Sequence, residues 1–428
     1  MSKNAFDKII GYEEIKEELL QICDMIKNRE RYEALGAKLP HGVMLYGDPG
    51  LGKSLMAKCF IAESGLKSYT IRRNKGNNDF ISEISDTFKK AKENAPAVIF
   101  LDDLDKFANE DDDHCDAEEY VAVQAGIDDI DGSDVFVIAT VNESYKLPQS
   151  LKRPGRFDRK INVQSPTESD AVKIIAYYLK NKRIAENVNM TDLTKMISYS
   201  SCAELETMLN EAAINAGYLR KDKIEMEDLI RSVLRMQYDS PDNFTKKSQE
   251  DLKRTALHEA GHLVASEVLL AESVGLASLR STGRDSTGGF IHRCKDLPRR
   301  PYHIIVSLAG KAAVELYYSD AVASGCYRDI QRAFNMIREA ISENATHGFG
   351  MIDVATRRFS NTSESMNSRN EAVTQAELER YMVITKNLLL KNRDFLEKTA
   401  AALEKQETLL FSDIQKIKST TTVTPVEV

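Results

Sequence analysis

The stretch "YGDPGLGKS", residues 46–54, follows the apolar run "GVMLYG" and precedes a helical pattern. That order of strand, glycine-rich turn and helix is what a phosphate-binding loop needs. Gly47, Gly50 and Gly52 let the backbone bend so that its N–H groups and a helix N-terminus converge on phosphates. Lys53 then reaches the outer phosphate oxygens and Ser54 holds Mg²⁺. The nucleotide-contacting set read from this loop is Asp48, Pro49, Gly50, Leu51, Gly52, Lys53, Ser54 and Leu55, with ATP and Mg²⁺ as cofactors.

Working outward, "AVIFLDDLD" is an apolar strand ending in Asp102 and Asp103. The first carboxylate suits the hydration shell of magnesium, and the second suits orientation of an attacking water. "VFVIATVN" is a further buried strand ending in Asn142, and "LKRPGRFDR" places Arg153 and Arg156 beside a Pro-Gly turn. Short apolar strands alternating with the amphipathic stretches "EEIKEELLQICDMI" and "DFISEISDTFKKAKE" predict a parallel α/β sheet over residues 1–163. Helical periodicity alone continues over 164–240, a small helical domain. The polar segment "YDSPDNFTKKSQE" with Pro241 predicts a linker at 241–248. A second, mainly α-helical domain is expected over 249–420, followed by a flexible tail at 421–428.

In that second domain "ALHEAGHLVASEVL", residues 256–269, carries H-E-x-x-H within a helical pattern. His258 and His262, one turn apart, share a face and reach one Zn²⁺, while Glu259 activates the bound water. The small Ala260 and Gly261 allow another segment to pack close. A catalytic zinc keeps three protein ligands and a water, so one ligand must come from downstream. Spacing alone leaves His292, His303, Glu315 and Asp329 open.

The 428 residues exceed one typical core, which agrees with several domains. A composition of 42% hydrophobic and 29% charged residues is that of a folded globular chain. The net charge of -8 argues against a general nucleic-acid binder, despite the local run Arg72, Arg73 and Lys75. No stretch is long and apolar enough to span a bilayer. Six scattered cysteines without a CxxC pair point to a reducing compartment. The acidic run "NEDDDHCDAEE", with His114 and Cys115, matches no cation-site spacing and is read as a solvated loop.

Together "GDPGLGKS", "VIFLDD", "IATVN" and "RPGRFDR" resemble the AAA+ ATPase module over about 240 residues. The resemblance implies that Asn142 is the sensor asparagine, that Arg153 and Arg156 are arginine fingers acting in trans, and that the chain forms a homo-hexamer. It further implies that "SCAELETMLNEAA" is the lid helix with Ala203 near the adenine, and that "IIGYEE" around Gly11 forms the other adenine wall. "HEAGH" followed by "IIVSLAGKAAVEL" and "SGCYRDIQRA" resembles the peptidase domain of the FtsH family of AAA+ zinc metalloproteases, from residue 5 to about 418 overall. By that resemblance Asp329 is the third zinc ligand, Glu259 the general base, and "GGFIHR" an edge strand that pairs with the substrate backbone.

Three departures from that family stand out. Its members usually carry an N-terminal membrane anchor, which this sequence does not show, so the expectation is either a soluble, cytoplasmic relative or a longer native chain from which the anchor has been removed. The second acid of the strand motif is Asp103 where the family has glutamate, which predicts slow hydrolysis. The pore loop "IRRNKGNNDF" lacks the family's aromatic, with Phe80 a displaced candidate. The expected function is an ATP-dependent zinc metalloprotease acting on protein substrates. The alternatives are a remodelling chaperone with a vestigial peptidase, and a peptidase ring with a weak nucleotide-gated ATPase.

Overall fold

The structure is a computed structural model that describes residues 4–73, 77–108, 117–153, 155–240, 248–281, 288–318, 326–344 and 364–426. The chain divides into two compact units, Met1–Asn181 with Tyr199–Leu209, and Lys182–Ser198 with Asn210–Val428.

In the first unit β1 (Gly42–Tyr46), β2 (Lys67–Ile71), β3 (Ala97–Leu101), β4 (Val135–Val141) and β5 (Arg159–Asn162) form a sheet in the order β2-β3-β4-β1-β5, every pair parallel. The expected parallel α/β architecture is observed. The three central strands are buried along almost their whole length, which is why they read as unbroken apolar runs. The edge strands "KSYTI" and "RKIN" each bury only one side chain, Ile71 and Ile161, so no apolar run announced them. Helix Asn77–Glu93 packs on β2, β3 and helix Ala117–Asp129 on one side, and helix Lys53–Ser64 packs on Glu13–Lys27.

Phe80 does not serve as a pore-loop aromatic. It lies fully buried in the core beneath the sheet and meets Phe107 edge-on at 5.2 Å. The side chains of Asn77 and Asn78, residues 74–76 of the same loop, and residues 109–116 with His114 and Cys115 lie outside the described set, as do Pro154 and linker residues 241–247.

The second unit is built round helix Gln249–Leu269, whose N-terminus is capped by the Ser248 hydroxyl accepting from the Asp251 N–H at 3.1 Å. It packs against helices Arg300–Tyr317 and Arg393–Gln406 in one large apolar core. A three-stranded antiparallel sheet lies beside it in the order β7-β6-β8, formed by β6 (Val274–Ser281), β7 (Gly288–Arg293) and β8 (Thr408–Leu410). The buried Glu267 carboxylate receives the N–H groups of Glu272, Ser273 and Val274 and pairs with Lys418 at 2.8 Å, which fixes the turn into β6.

Residues 421–426 do not form the expected flexible tail. The side chain of Asn392, 1% exposed, accepts from the Thr424 N–H (2.8 Å) and donates to its carbonyl (3.1 Å). Val423 and Val426 pack on the core. A buried amide that needs both partners holds this segment in place.

Candidate functional site

Helix Gln249–Leu269 presents His258 and His262 one turn apart, with ring centroids at 4.6 Å. Helix Tyr327–Asn344 brings Asp329 across to them. The Nε2 atoms of the two imidazoles lie 3.0 Å apart, and Asp329 Oδ2 is 3.3 Å from His258 Nε2 and 3.4 Å from His262 Nε2. A tetrahedral zinc with bonds of ~2.0–2.1 Å separates its ligand atoms by roughly 3.3–3.4 Å, so this donor set fits the metal. Among the described residues these three form the one cluster of three or more His, Cys, Asp or Glu side chains close enough to share a metal. The other candidates are engaged elsewhere. His303 Nε2 donates to the Leu297 carbonyl, Glu315 pairs with Lys311 and Lys386, and His292 bonds Ser198 and Tyr238.

The electrostatics agree with a cation site. Burial pulls the His262 imidazole down, but Asp329 and Glu259 outweigh it and hold the group up at about 9. Burial pushes the Asp329 carboxyl up, and the two imidazoles overcome it, leaving the acid well below its ordinary range. The negative field of Asp329 and Glu259 that favours a proton on His262 would equally favour a divalent ion held by the two imidazoles and the carboxylate. His262 Nδ1 donates to the Val306 carbonyl at 2.6 Å, which fixes the tautomer and leaves Nε2 as the lone-pair donor. His258 Nδ1 lies 3.7 Å from the thiol of Cys326.

Two glycines make room for this chemistry. At Gly310 a Cβ would stand 2.4 Å from His258 Cε1 and 2.5 Å from His262 Nε2, so the imidazoles pack directly on its backbone. Gly289, in β7, has φ +107°, and a Cβ there would be 2.5 Å from Glu259 Oε1. The buried carboxylate of Glu259 therefore lies against the outermost strand of the sheet. The close approach anticipated at Gly261 is also present, since a Cβ there would meet the Ala309 carbonyl at 2.4 Å. Sequence reasoning missed Gly310, Gly289 and Val306. A glycine within the long apolar helix "SLAGKAA" is a signal for the first, because glycine there is ~1 kcal/mol less helix-favouring than alanine.

In the first unit the loop Gly47–Gly52 leads from β1 into helix Lys53–Ser64. Gly47 lies so close to the Val163 carbonyl that a Cβ would be 2.0 Å from its oxygen. The Lys53 ammonium donates to the loop carbonyls of Gly47 (2.7 Å) and Asp48 (2.6 Å), within the cradle expected to hold phosphates. Pro49 and Leu51 shape the same turn, Leu51 buried beneath it and Leu55 exposed on the helix that follows. The Ser54 hydroxyl donates to Asp102 Oδ1 at 2.9 Å, so the pair expected at magnesium is assembled at the loop.

Thr140, which sequence reasoning did not single out, ties the acids together. Its hydroxyl donates to Asp102 Oδ1 at 3.0 Å and accepts the Asp103 N–H at 2.9 Å. Asp105, also missed, receives the Asn142 N–H at 3.0 Å, and the Asn142 amide in turn reaches Asp103 Oδ1 at 3.3 Å. Burial pushes the Asp103 carboxyl up, yet the Lys106 ammonium 2.6 Å away and the Asn142 amide hold it below its usual range.

Of the residues expected near the adenine, Ala203 donates its N–H to the Gly50 carbonyl at 3.1 Å. Gly11 lies against Asp170, and its neighbour Tyr12 bonds the Gln164 carbonyl at 3.0 Å. Arg156 forms a two-pronged pair with Asp128 (2.9 and 2.8 Å) and donates to the Ser150 carbonyl, whereas Arg153 is exposed.

A family model described as "ATPase family associated with various cellular activities (AAA)" matches residues 43–165. The chain is 31% identical to the ATP-dependent zinc metalloprotease FtsH of Streptobacillus moniliformis over 98% of its own length and 65% of that protein's. It is 31% identical to the FtsH of Thermus thermophilus, covering 97% of this chain and 70% of the relative. For the FtsH of Leptotrichia buccalis the figures are 31%, 96% and 56%. The chain thus spans between about half and just over two thirds of these relatives. Among the described residues no helix is long and apolar enough to cross a membrane. With both halves of the chain covered by these matches, the protein belongs to the FtsH family of ATP-dependent zinc metalloproteases.

Proposed function

We propose that the chain cleaves peptide bonds of protein substrates at the His258, His262 and Asp329 site and hydrolyses ATP at the Gly47–Ser54 loop. The observation that carries the peptidase reading is the set of donor separations of 3.0, 3.3 and 3.4 Å with the Glu259 carboxylate held beside an outermost strand. Zinc, when bound, supplies Lewis-acid polarisation and a water of lowered pKa. Glu259 takes the proton of the attacking water and passes it to the departing amine nitrogen, with the amide C–N bond broken. His258, His262 and Asp329 hold the metal, with His262 oriented by the Val306 carbonyl. An extended substrate chain adds to β7 by backbone pairing, which lays its scissile bond alongside Glu259.

At the other site Mg·ATP, when bound, supplies the phosphoanhydride that is hydrolysed. Lys53 neutralises phosphate charge, Ser54 and Asp102 hold the cation, and Asp103 with Asn142 orients water. Gly11 and Ala203 flank the base. A homo-hexamer with Arg153 and Arg156 acting on the neighbouring subunit's nucleotide completes this reading.

The second reading, a peptidase ring with a weak ATPase, has its own support. The guanidinium of Arg156 is engaged by Asp128 and Ser150 of its own chain, and Asp103 is bound to Lys106. Casein degradation measured with ATP, without ATP and with a metal chelator separates the two. Loss with chelator alone supports the second reading, and loss in both conditions supports the first. Degradation that withstands the chelator refutes the zinc peptidase.

A further inference from the structure

The strand beside Glu259 is held from the opposite side by a chain of hydrogen bonds that the peptidase reading leaves unused. Tyr238 ends helix Met226–Tyr238, and its hydroxyl meets His292 Nδ1 at 2.5 Å. His292 Nε2 lies 2.9 Å from Ser198 Oγ, and Ser198 in turn donates to the Lys195 carbonyl at 3.1 Å. These bonds fix the proton positions. The single Ser198 proton goes to a carbonyl, which only accepts, so Ser198 Oγ accepts from His292 Nε2–H. His292 Nδ1 is then the acceptor of the Tyr238 hydroxyl proton. Each member is satisfied, and the imidazole is neutral.

The same tyrosine also grips the strand through its ring. Phe290 stacks on Tyr238 with centroids 4.1 Å apart and planes at 24°. Residues 290 and 292 are two apart and share a face of β7, so one side chain seizes two consecutive positions of that face. Lys195, at the far end of the chain, is itself locked, because Gly275 of β6 lies so close that a Cβ would be 2.2 Å from the Lys195 carbonyl oxygen. The strand is thus tied at His292 to a segment anchored on its own sheet partner, three residues from the Gly289 backbone that touches Glu259.

We propose that Tyr238, His292 and Ser198 are positioning residues for proteolysis, a clamp that fixes β7 at the depth and register an extended substrate must meet to reach Glu259. The clamp rests on the peptidase reading of the Glu259 site. The hydrogen bonds of the three run to one another and to the Lys195 carbonyl, not to the zinc ligands. Their effect passes through the strand, so it acts on substrate binding more than on the chemical step.

The test uses the full-length, zinc-loaded protein and a short fluorogenic peptide that needs no unfolding. Tyr238→Phe keeps the stack on Phe290 and removes one hydrogen bond, so KM should rise roughly fivefold while kcat stays within about twofold. His292→Ala should raise KM further, and His292→Gln, which keeps a donor and an acceptor, should recover part of the loss. Zinc content, ATP turnover and Tm serve as controls, and the expectation for Tyr238→Phe is that all three stay near the parent. An unchanged KM in both Tyr238→Phe and His292→Ala overturns the clamp. Should the parent protein show no peptidase activity, the proposed function fails separately. The clamp is then read by hydrogen exchange at residues 288–293, where faster exchange in Tyr238→Phe supports it and identical exchange rejects it. If His292→Ala does not fold, the Tyr238→Phe result decides alone.

Discussion

Replacing Gly310 with alanine should separate the metal site from the fold that carries it. The added Cβ would stand 2.4 Å from His258 Cε1, 2.5 Å from His262 Nε2 and 2.6 Å from His258 Nδ1. Carbon atoms in contact prefer ~3.5–4.0 Å, so both rings must retreat by about 1 Å. Metal sites tolerate deviations of about ±0.2 Å in their bonds, and the required shift is several times larger. Losing an outer partner of a ligand lowers affinity about 10- to 100-fold, and here two ligands move at once. A rise of at least ~100-fold in the zinc Kd follows, which is about 2.8 kcal/mol.

The metal-free fold should suffer far less. The His258 and His262 side chains are 15% and 11% exposed at the site, which leaves an outward route for the rings. Alanine is also ~1 kcal/mol more favourable than glycine within a helix, which offsets part of any crowding. Zinc affinity measured by competition with a chromophoric chelator, beside the Tm of the stripped protein, tests both halves. A Kd within threefold of the parent would refute the geometric reasoning. So would a variant that binds zinc normally but loses its fold.

Glu259→Gln should keep one zinc per chain while peptide cleavage falls by at least ~100-fold, since only the base is removed; metal analysis and a peptidase assay check this. Gly289→Ala should do likewise for a different reason, because φ +107° disfavours a side chain and the new Cβ presses on the Glu259 carboxylate. Normal cleavage by that variant would show that β7 does not border the reacting groups. Burial holds His292 at about 4, against 6.5 for a free imidazole, so the unfolded chain takes up a proton the folded one refuses. Stability from this residue is complete above 6.5 and is lost as the pH falls toward 4, by up to about 3 kcal/mol. In metal-stripped protein, Tm should therefore drop more steeply between those values for the parent than for His292→Gln, and parallel curves would reject the assignment. Asp103→Glu should raise ATP turnover several-fold in a steady-state assay, and no gain would mean that carboxylate reach is not limiting.

The residues legible in the sequence are those whose chemistry demands a fixed local pattern. A phosphate loop must run strand, glycines, lysine, helix, and two imidazoles on one helical face must stand four apart. Both patterns lie within one element and its neighbour. What escaped notice depends on contacts between distant segments. Thr140 bridges Asp102 and Asp103 from a strand some 37 residues away, and nothing in "VFVIATVN" marks its hydroxyl as different from any buried threonine. Spacing left four candidates for the third zinc ligand because they lie on three different elements, strand β7, helix Arg300–Tyr317 and helix Tyr327–Asn344, and a linear separation does not say which of these reaches the two imidazoles. The family resemblance pointed to Asp329, and the packing of helices supplies the physical reason by bringing it to the two imidazoles. Phe80 failed as a pore-loop aromatic for a related reason. The sequence places an aromatic near the loop, but the turn of the helix that begins at Asn77 points it into the core.

The aspartate at position 103 also has a local backbone setting that bears on its chemistry. Its φ of 56° and ψ of 54° place it in the left-handed region, where aspartate is several-fold more common than most side chains because its short carboxylate bonds nearby groups. That is what occurs here. The carboxylate reaches Lys106, three residues on, and the turn into the short 3-10 helix Leu104–Lys106 is closed by the contact. A glutamate would extend further toward the loop, yet it would give up part of this local support. The same pairing that settles the turn lowers the basicity of the acid, since Lys106 stabilises its charged form. An acid so held orients water by hydrogen bonding but accepts a proton weakly. Backbone comfort and a weak base are thus two consequences of one short side chain. This links the shortened acid at position 103 to the slow ATP turnover expected of the chain, independently of how far its carboxylate can reach.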